Sequence, residues 1–435
     1  MKKMFQKIIA SSNNPSISKI SFATLIAFCF FIYTPSLKIP GVIMDIITIG
    51  IPLFYIILNI KILTKFKPRQ WMSVIAMLLL IAMSIVIPQL YETMDFSYFT
   101  PLAFYFKRGI TYVALLCLVI KRHGGEHVMN YFMLYFALTH VIYVISTILL
   151  VIVPGWQDVW FTISSKGTFF DSLSALDASR YMFRIGWQGF AGFHETLCCT
   201  FSAMFLMYLR YGTRSPAISA KWFVPAFTIC FLGNMFYGRV GLVATLVTCS
   251  AAFIHWNRNR IKHIVFATVT LVILLALGGA ILKTVPEMSD WYEWMSSPFT
   301  NLITTGDVGD SSFNKLQKMW QVDITEDTVM YGDGRYTNDG LYYMNTDVGF
   351  LRNILFWGLI GFILSYGLTV YEIMGLRRIS KVLMIQAFTV FLMFEYKGAA
   401  YYVLLPLIFV VELAYDIESK EKEKWQQLGV SNEEG

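Results

Sequence analysis

The apolar positions of this chain fall in long, nearly unbroken runs. They show neither the strict alternation of a half-buried strand nor the narrow stripe of a surface helix. A helix needs roughly 20 mostly apolar residues to cross a bilayer. Runs of that kind occupy about 20–36, 41–60, 71–89, 104–120, 128–153, 189–209, 221–237, 240–256, 263–283, 348–373, 382–396 and 399–415. The pattern predicts an all-α polytopic membrane protein of about 12 transmembrane helices, one integral-membrane domain over 1–435. A re-entrant hairpin is the alternative for the last pair. "MKKMFQK" opens no cleavable signal, because no small-residue cleavage site follows the first run, which reads as a retained span.

The polar stretches between the runs alternate in character. Basic ones are the N-terminus (Lys2, Lys3, Lys7), "KILTKFKPRQ", "KRHGG", "RYGTRSPAISAK", "HWNRNRIK", "GLRRISK" and the charged tail 416–435. The others are short, or acidic and aromatic, and include "YETMDFSYF" and two long stretches, 154–188 and 284–347. Lys and Arg are held on the cytoplasmic side of a membrane protein. Both termini are therefore expected inside, with the two long loops outside. A loop as long as the second is uncommon without a function, and its amphipathic piece "SSFNKLQKMWQV" predicts a short helix lying against the membrane.

Composition agrees with this class. The 435 residues are 56% hydrophobic and 14% charged, against about 25% charged in soluble domains. The net charge of +7 lies in the clusters that set topology and does not point to nucleic acid. All six cysteines fall inside apolar runs, so neither a disulfide framework nor a zinc spacing is present. No nucleotide loop, Rossmann fingerprint or nucleophile elbow occurs. "HETLC" places Cys198 where a zinc protease would need histidine. No metal and no cofactor is expected.

A few cations lie at the opposite ends of the spans from the basic loops. Arg108 is in "FKRGITY", Arg180 and Arg184 in "SRYMFRIGWQGF", Arg239 in the turn "YGRVG", and Arg335 and Arg352 flank Asp347. Each needs a local partner or a purpose there. A guanidinium presents a planar fork of donors that fits phosphate oxygens in pairs, so one reading is a grip for a polyanion at the outer leaflet. The other is snorkelling, or pairing with Asp171, Asp177 or Glu195. His194 and Glu195 read as a structural pair or as contacts to substrate hydroxyls. Asp347, at the mouth of the run 348–373, reads as a helix cap or as a base.

These residues carry a resemblance. Asp347, Leu351, Gly358 and Gly361 hold the order of a polar residue at a helix mouth, then Leu, then Gly-x-x-Gly. "DGRYTNDG" lies upstream, and "RYMFRIGWQGF" and "YGRVG" precede it in turn. Over about 180–365 the chain resembles the O-antigen and capsular polysaccharide polymerases (the Wzy family), and more distantly the O-antigen ligases. Gly238 stands where that family has serine, and Asp347 where the ligases have histidine.

The resemblance implies a glycosyltransferase of the bacterial cytoplasmic membrane. It would join undecaprenyl-diphosphate-linked repeat units for O-antigen, capsule or exopolysaccharide, with inversion and without metal. It implies Asp347, Arg239 and Arg352 as catalytic residues, and Arg180, Arg184, His194, Glu195, Arg335 and Arg108 as binding ones. Its partners would be the lipid-linked units, the bilayer, a chain-length regulator and a flippase, and not nucleic acid. A ligase-type transfer, or a transporter or flippase of lipid-linked sugars, is the alternative. A transporter calls for repeated halves and broken helices.

Overall fold

The computed structural model describes residues 20–153, 155–164, 182–190, 192–213, 215–256, 286–306, 311–338 and 340–427. The expected span 263–283, Arg180, Asp171, Asp177 and the N-terminal lysines lie outside the described residues.

Fifteen helices are described here. They are α1 (Phe22–Ile32), α2 (Gly41–Leu58), α3 (Pro68–Leu90), α4 (Phe99–His123), α5 (Val128–Ile152), α6 (Trp156–Ile163), α7 (Phe193–Met207), α8 (Ala220–Tyr237) and α9 (Arg239–Trp256). Helices α10 (Pro286–Thr305), α11 (Ser311–Trp320) and α12 (Glu326–Tyr331), from the second long loop, follow. The chain then forms α13 (Gly349–Gly375), α14 (Lys381–Lys397) and α15 (Tyr401–Gln427). Two short antiparallel hairpins complete it: β1 (Ile185–Gly186) with β2 (Gly189–Phe190), and β3 (Thr337–Asn338) with β4 (Leu341–Tyr342).

The protein is an all-α membrane protein. Six of the described helices (α2, α3, α4, α5, α9 and α13) are long and apolar enough by length and composition to cross a bilayer, although α13 is broken at Gly358. Helices also occupy five of the other expected positions (α1, α7, α8, α14 and α15). Helix α15 runs on past 416 through the charged segment to Gln427.

Helix α7 is buried on every side from Glu195 to Met207 and packs against α5, α8 and α9. A helix apolar all round belongs in a core rather than on a lipid face. Helix α15 fills the same role beside α4, α5 and α13, with Leu404, Val410 and Leu413 at 0% exposure. Helices α2 and α3, by contrast, turn Val42, Leu58 and Ile75 outward.

At the end where α3 begins and α13 finishes, charge is buried. Glu412 and Asp416 of α15 are each 1% exposed. Glu412 receives Arg69 (3.0 Å) and Arg378 (2.8 Å). Asp416 receives Arg378 (2.6 Å), Lys67 (2.7 Å) and the Gln70 amide (2.8 Å). Buried acids persist only when partnered in this way.

The run 348–373 was expected to be one continuous span, and it is not. Gly358 takes φ 60°, ψ −163° inside α13, a conformation open essentially to glycine alone. The helix doubles back there. The rings of Phe350 and Tyr366 lie 5.3 Å apart, although 16 residues of straight helix would separate them by about 24 Å. The break frees carbonyls, and the second long loop supplies donors for two of them: Asp333 N–H bonds the Leu355 carbonyl (2.7 Å) and Gly334 N–H that of Phe356 (3.1 Å). Irregular backbone at membrane depth is tolerated where protein satisfies it in this manner.

Candidate functional site

The first arm of α13 carries Asp347 just before it and Arg352 within it. Its surroundings are set from below by Asp95, in the link between α3 and α4. The Asp95 carboxylate accepts the backbone N–H groups of Tyr336 (2.6 Å), Thr337 (2.7 Å) and Ser97 (3.0 Å). Burial alone would raise its pKa, but the Ser97 hydroxyl and these N–H donors outweigh burial and hold it below the ordinary carboxylate value. The β3–β4 hairpin is thereby tied to the start of α4. Tyr336 stacks flat on Tyr98, centroids 4.0 Å apart.

Arg352 lies on that shelf. Its guanidinium carbon is 3.6 Å from the Tyr336 ring centre and 4.1 Å from that of Tyr342, in the geometry of a cation–π clamp. The side chain is 7% exposed. One Nη lies 3.6 Å from Asp347, while the buried Nε meets no acceptor among the described residues. Lys397, at the end of α14, also reaches Asp347, at 2.9 Å. Two cations thus share one carboxylate, and the group carries a surplus positive charge. Asp347 is not the cap of α13. Val348 holds the N-cap position, with no side-chain bond to the helix.

A second group forms around Trp294 of α10. Arg239 lies 4.6 Å and Arg184 5.4 Å from the centre of its ring, and Arg239 donates to the Trp294 carbonyl (3.2 Å). Arg239 is placed by a polar lattice among α7, α8 and α9. Thr196 donates to Asn234 (2.8 Å) and to the Gly238 carbonyl (3.0 Å), and Asn234 donates to Thr245 (2.7 Å). Any side chain at Gly241 would meet Thr196 and Asn234, which accounts for the second glycine of "YGRVG". Phe183 packs on Phe236 and Trp291, so the two long loops meet here.

The remaining candidates are dispersed. Arg108 is 7% exposed and donates to the carbonyls of Ile32 and Phe31 at the end of α1. There it answers the negative end of that helix. Glu195, third residue of α7, accepts the Gly192 N–H (2.6 Å) and the Gln188 amide, as a helix-starting acid does. His194 sits between the Tyr105 ring (5.0 Å) and Cys198 (3.8 Å). Arg335 is exposed beside Tyr343.

Sequence reasoning missed Lys397, Tyr336, Tyr342 and Trp294. Lys397 has a signal in the sequence: it is a cation at the opposite end of its helix from the basic stretch "GLRRISK". The aromatic partners had none, in a chain with 24 tyrosines and 11 tryptophans. Among the described residues no group of three or more His, Cys, Asp or Glu has the geometry to hold a metal ion. Chemically, the site offers guanidinium and ammonium donors to an anion beside a single carboxylate. Compared with family models, with characterised proteins and with solved structures, the chain matches none.

Proposed function

We propose that the protein is a glycan polymerase of the bacterial cytoplasmic membrane, joining undecaprenyl-diphosphate-linked repeat units at its outer face. In this reading the twelve-span topology holds, with both termini cytoplasmic and the later arm of α13 making the tenth crossing. The observation that carries the proposal is Arg352: a buried guanidinium with an unanswered Nε donor, held beside Lys397 over one shared carboxylate. An unpaired buried donor costs roughly 1–3 kcal/mol. A phosphate oxygen at that edge removes the cost and balances the surplus charge.

The reaction follows from these roles. The acceptor hydroxyl oxygen bonds to the anomeric carbon of the donor chain while the bond from that carbon to the diphosphate oxygen breaks. Arg352 and Lys397 hold the departing diphosphate as charge grows on its bridging oxygen, and Asp347 takes the hydroxyl proton. Arg239 and Arg184 hold the second lipid-linked unit. Attack opposite the leaving group inverts the anomeric configuration.

An apolar cavity supports this reading, with room for the part of the lipid nearest the diphosphate. A cavity of about 300 Å³ lies among α2, α3, α4, α13 and α15, walled by Leu53, Met77, Tyr105, Ile110, Leu405 and Phe409. Tyr105 stacks on Tyr402 (5.0 Å), Tyr402 touches Tyr98 (6.5 Å), and Tyr98 floors Tyr336 under Arg352. The aromatic wall runs from an apolar chamber to a cation, matching an amphiphile with a diphosphate at one end. Asp347, in the place of the ligase histidine, favours the polymerase over a ligase. The broken α13 belongs to the transporter pattern, yet its first arm carries the anion grip.

Deleting the gene is expected to leave single lipid-linked repeat units and no long polymer. Arg352→Lys and Arg239→Lys are expected to cut polymer about tenfold or more at normal protein abundance, because a lysine cannot keep the stacked, forked geometry. Wild-type chain length in both variants overturns the reading. Asp347→Asn separates the roles of the acid: loss of polymer assigns it the proton, whereas retained polymer leaves it only charge balance.

A further inference from the structure

Beneath Arg352 lies a buried polar network that the proposed reaction does not use. Its centre is Glu395 of α14, 0% exposed. One of its oxygens accepts the N–H groups of Ala400 and Tyr401, both at 2.6 Å, where α15 begins. The other accepts the Tyr366 hydroxyl (2.6 Å) from the second arm of α13. Tyr366 in turn accepts from the Asn353 amide (2.8 Å), on the first arm. The Asn353 carbonyl takes the Tyr98 hydroxyl (2.5 Å) and the Trp357 indole N–H (3.0 Å). Tyr98 is the residue on which Tyr336 and then Arg352 are stacked.

The sense of the chain is set by Trp357. Its indole N–H can only donate, so the Asn353 carbonyl faces it together with the Tyr98 hydroxyl, and the Asn353 amide faces Tyr366. The Tyr366 oxygen accepts that amide and its own proton points to Glu395. Gly349 marks how closely the acid approaches the first arm, since any side chain there would strike Glu395. The acid therefore joins both arms of α13, the end of α14 that bears Lys397, and the start of α15 that bears Tyr402.

We propose that Glu395 is a positioning residue of the polymerase site. Through Tyr366 and Asn353 it holds the short first arm of α13 closed, so that Arg352 and Asp347 stand in register with Lys397. The role rests on the polymerase reading, because it is the transfer step that needs the register. A helical arm of nine residues ahead of Gly358 is too short to be stable by itself, so its position has to come from contacts such as these.

The test uses the full chain in nanodiscs, with Tyr366→Phe and Glu395→Gln. Tyr366→Phe keeps the ring and removes only the bridging hydroxyl. In Glu395→Gln the capping of α15 can survive, but the new amide donor faces Tyr366 and reverses the chain. Polymerisation of a synthetic lipid-linked repeat unit is expected to lose about tenfold in kcat in both variants, with KM within about twofold, as misplacement of a catalytic arm does. Amide exchange across 349–357 is expected to quicken about tenfold in both, at unchanged melting temperature. The exchange readout needs no substrate, so unchanged exchange in Tyr366→Phe overturns the positioning role whatever the assay shows. Wild-type kcat alongside faster exchange overturns the link to catalysis. If the unmutated protein forms no polymer, the polymerase reading itself fails, while exchange still reports on the arm.

Discussion

Gly358 fills a position that no other residue fills without strain. Its dihedral angles alone cost a side chain about 1–3 kcal/mol, and a Cβ there would stand 2.5 Å from the Tyr331 carbonyl carbon and 2.6 Å from the Gly332 nitrogen. Backbone atoms cannot swing aside. Gly358→Ala is therefore expected to lower the melting temperature of the purified protein and to release the 332–334 segment, seen as faster amide exchange at Gly334. Asp95 offers a second test at this scale. Its folded pKa lies below its unfolded value of about 3.9, so its stabilisation is present above that value and fades as pH falls through the lower, folded one. Protection of the Tyr336 and Thr337 amides is expected to collapse in acid below about pH 4. In Asp95→Ala it is expected to be weak at every pH, with a loss of about 2–3 kcal/mol from charge-assisted bonds.

At the level of elements, hydropathy located the eleven described helices that lie in apolar runs, but not α6, α10 or α12 between them, and missed how the helices are used. The runs expected at 71–89 and 128–153 coincide closely with α3 and α5, because length and apolarity are one-dimensional properties that a chain displays directly. The fold-back at Gly358 was not legible: an apolar run reads the same whether it goes straight or doubles back. Only the pairing of Phe350 with Tyr366, and the donors of Asp333 and Gly334, distinguish the two. Arg239 was legible as a misplaced cation, but its indole partner, some fifty residues on, was not. Helix α15 makes the same point. Asp416 opens the segment expected as a charged tail, and it is buried, receiving Lys67, Gln70 and Arg378. Asp416→Ala strands these donors. Because Lys67 and Arg378 keep partial access to water, about 2–3 kcal/mol of stability is expected to go, measurable as lower heat tolerance in detergent. Asp416→Asn, still an acceptor, is expected to lose less.

Across the whole molecule, charge is sorted towards two ends of one bundle, with the buried cores of α7 and α15 between them. The carboxylates of α15 with their cations mark one end. Arg352, Lys397 and the indole-bound arginines mark the other. Reporter fusions after Lys67 and after Asn314 are expected to give opposite sidedness in the proposed topology, because the first lies in a basic loop and the second in α11, within the long acidic and aromatic loop. Identical sidedness sinks the arrangement. The fold-back of α13 carries one more implication. Gly332 to Gly334 belong to the loop by connectivity, but they complete the hydrogen bonding of a helix that starts some fifteen residues later. The number of residues between them is therefore a measured span, like the deck between two piers. Residues added or cut between Gly340 and Asp347 should shift the acid against its cations, whereas the same edit ahead of Glu326 should be absorbed.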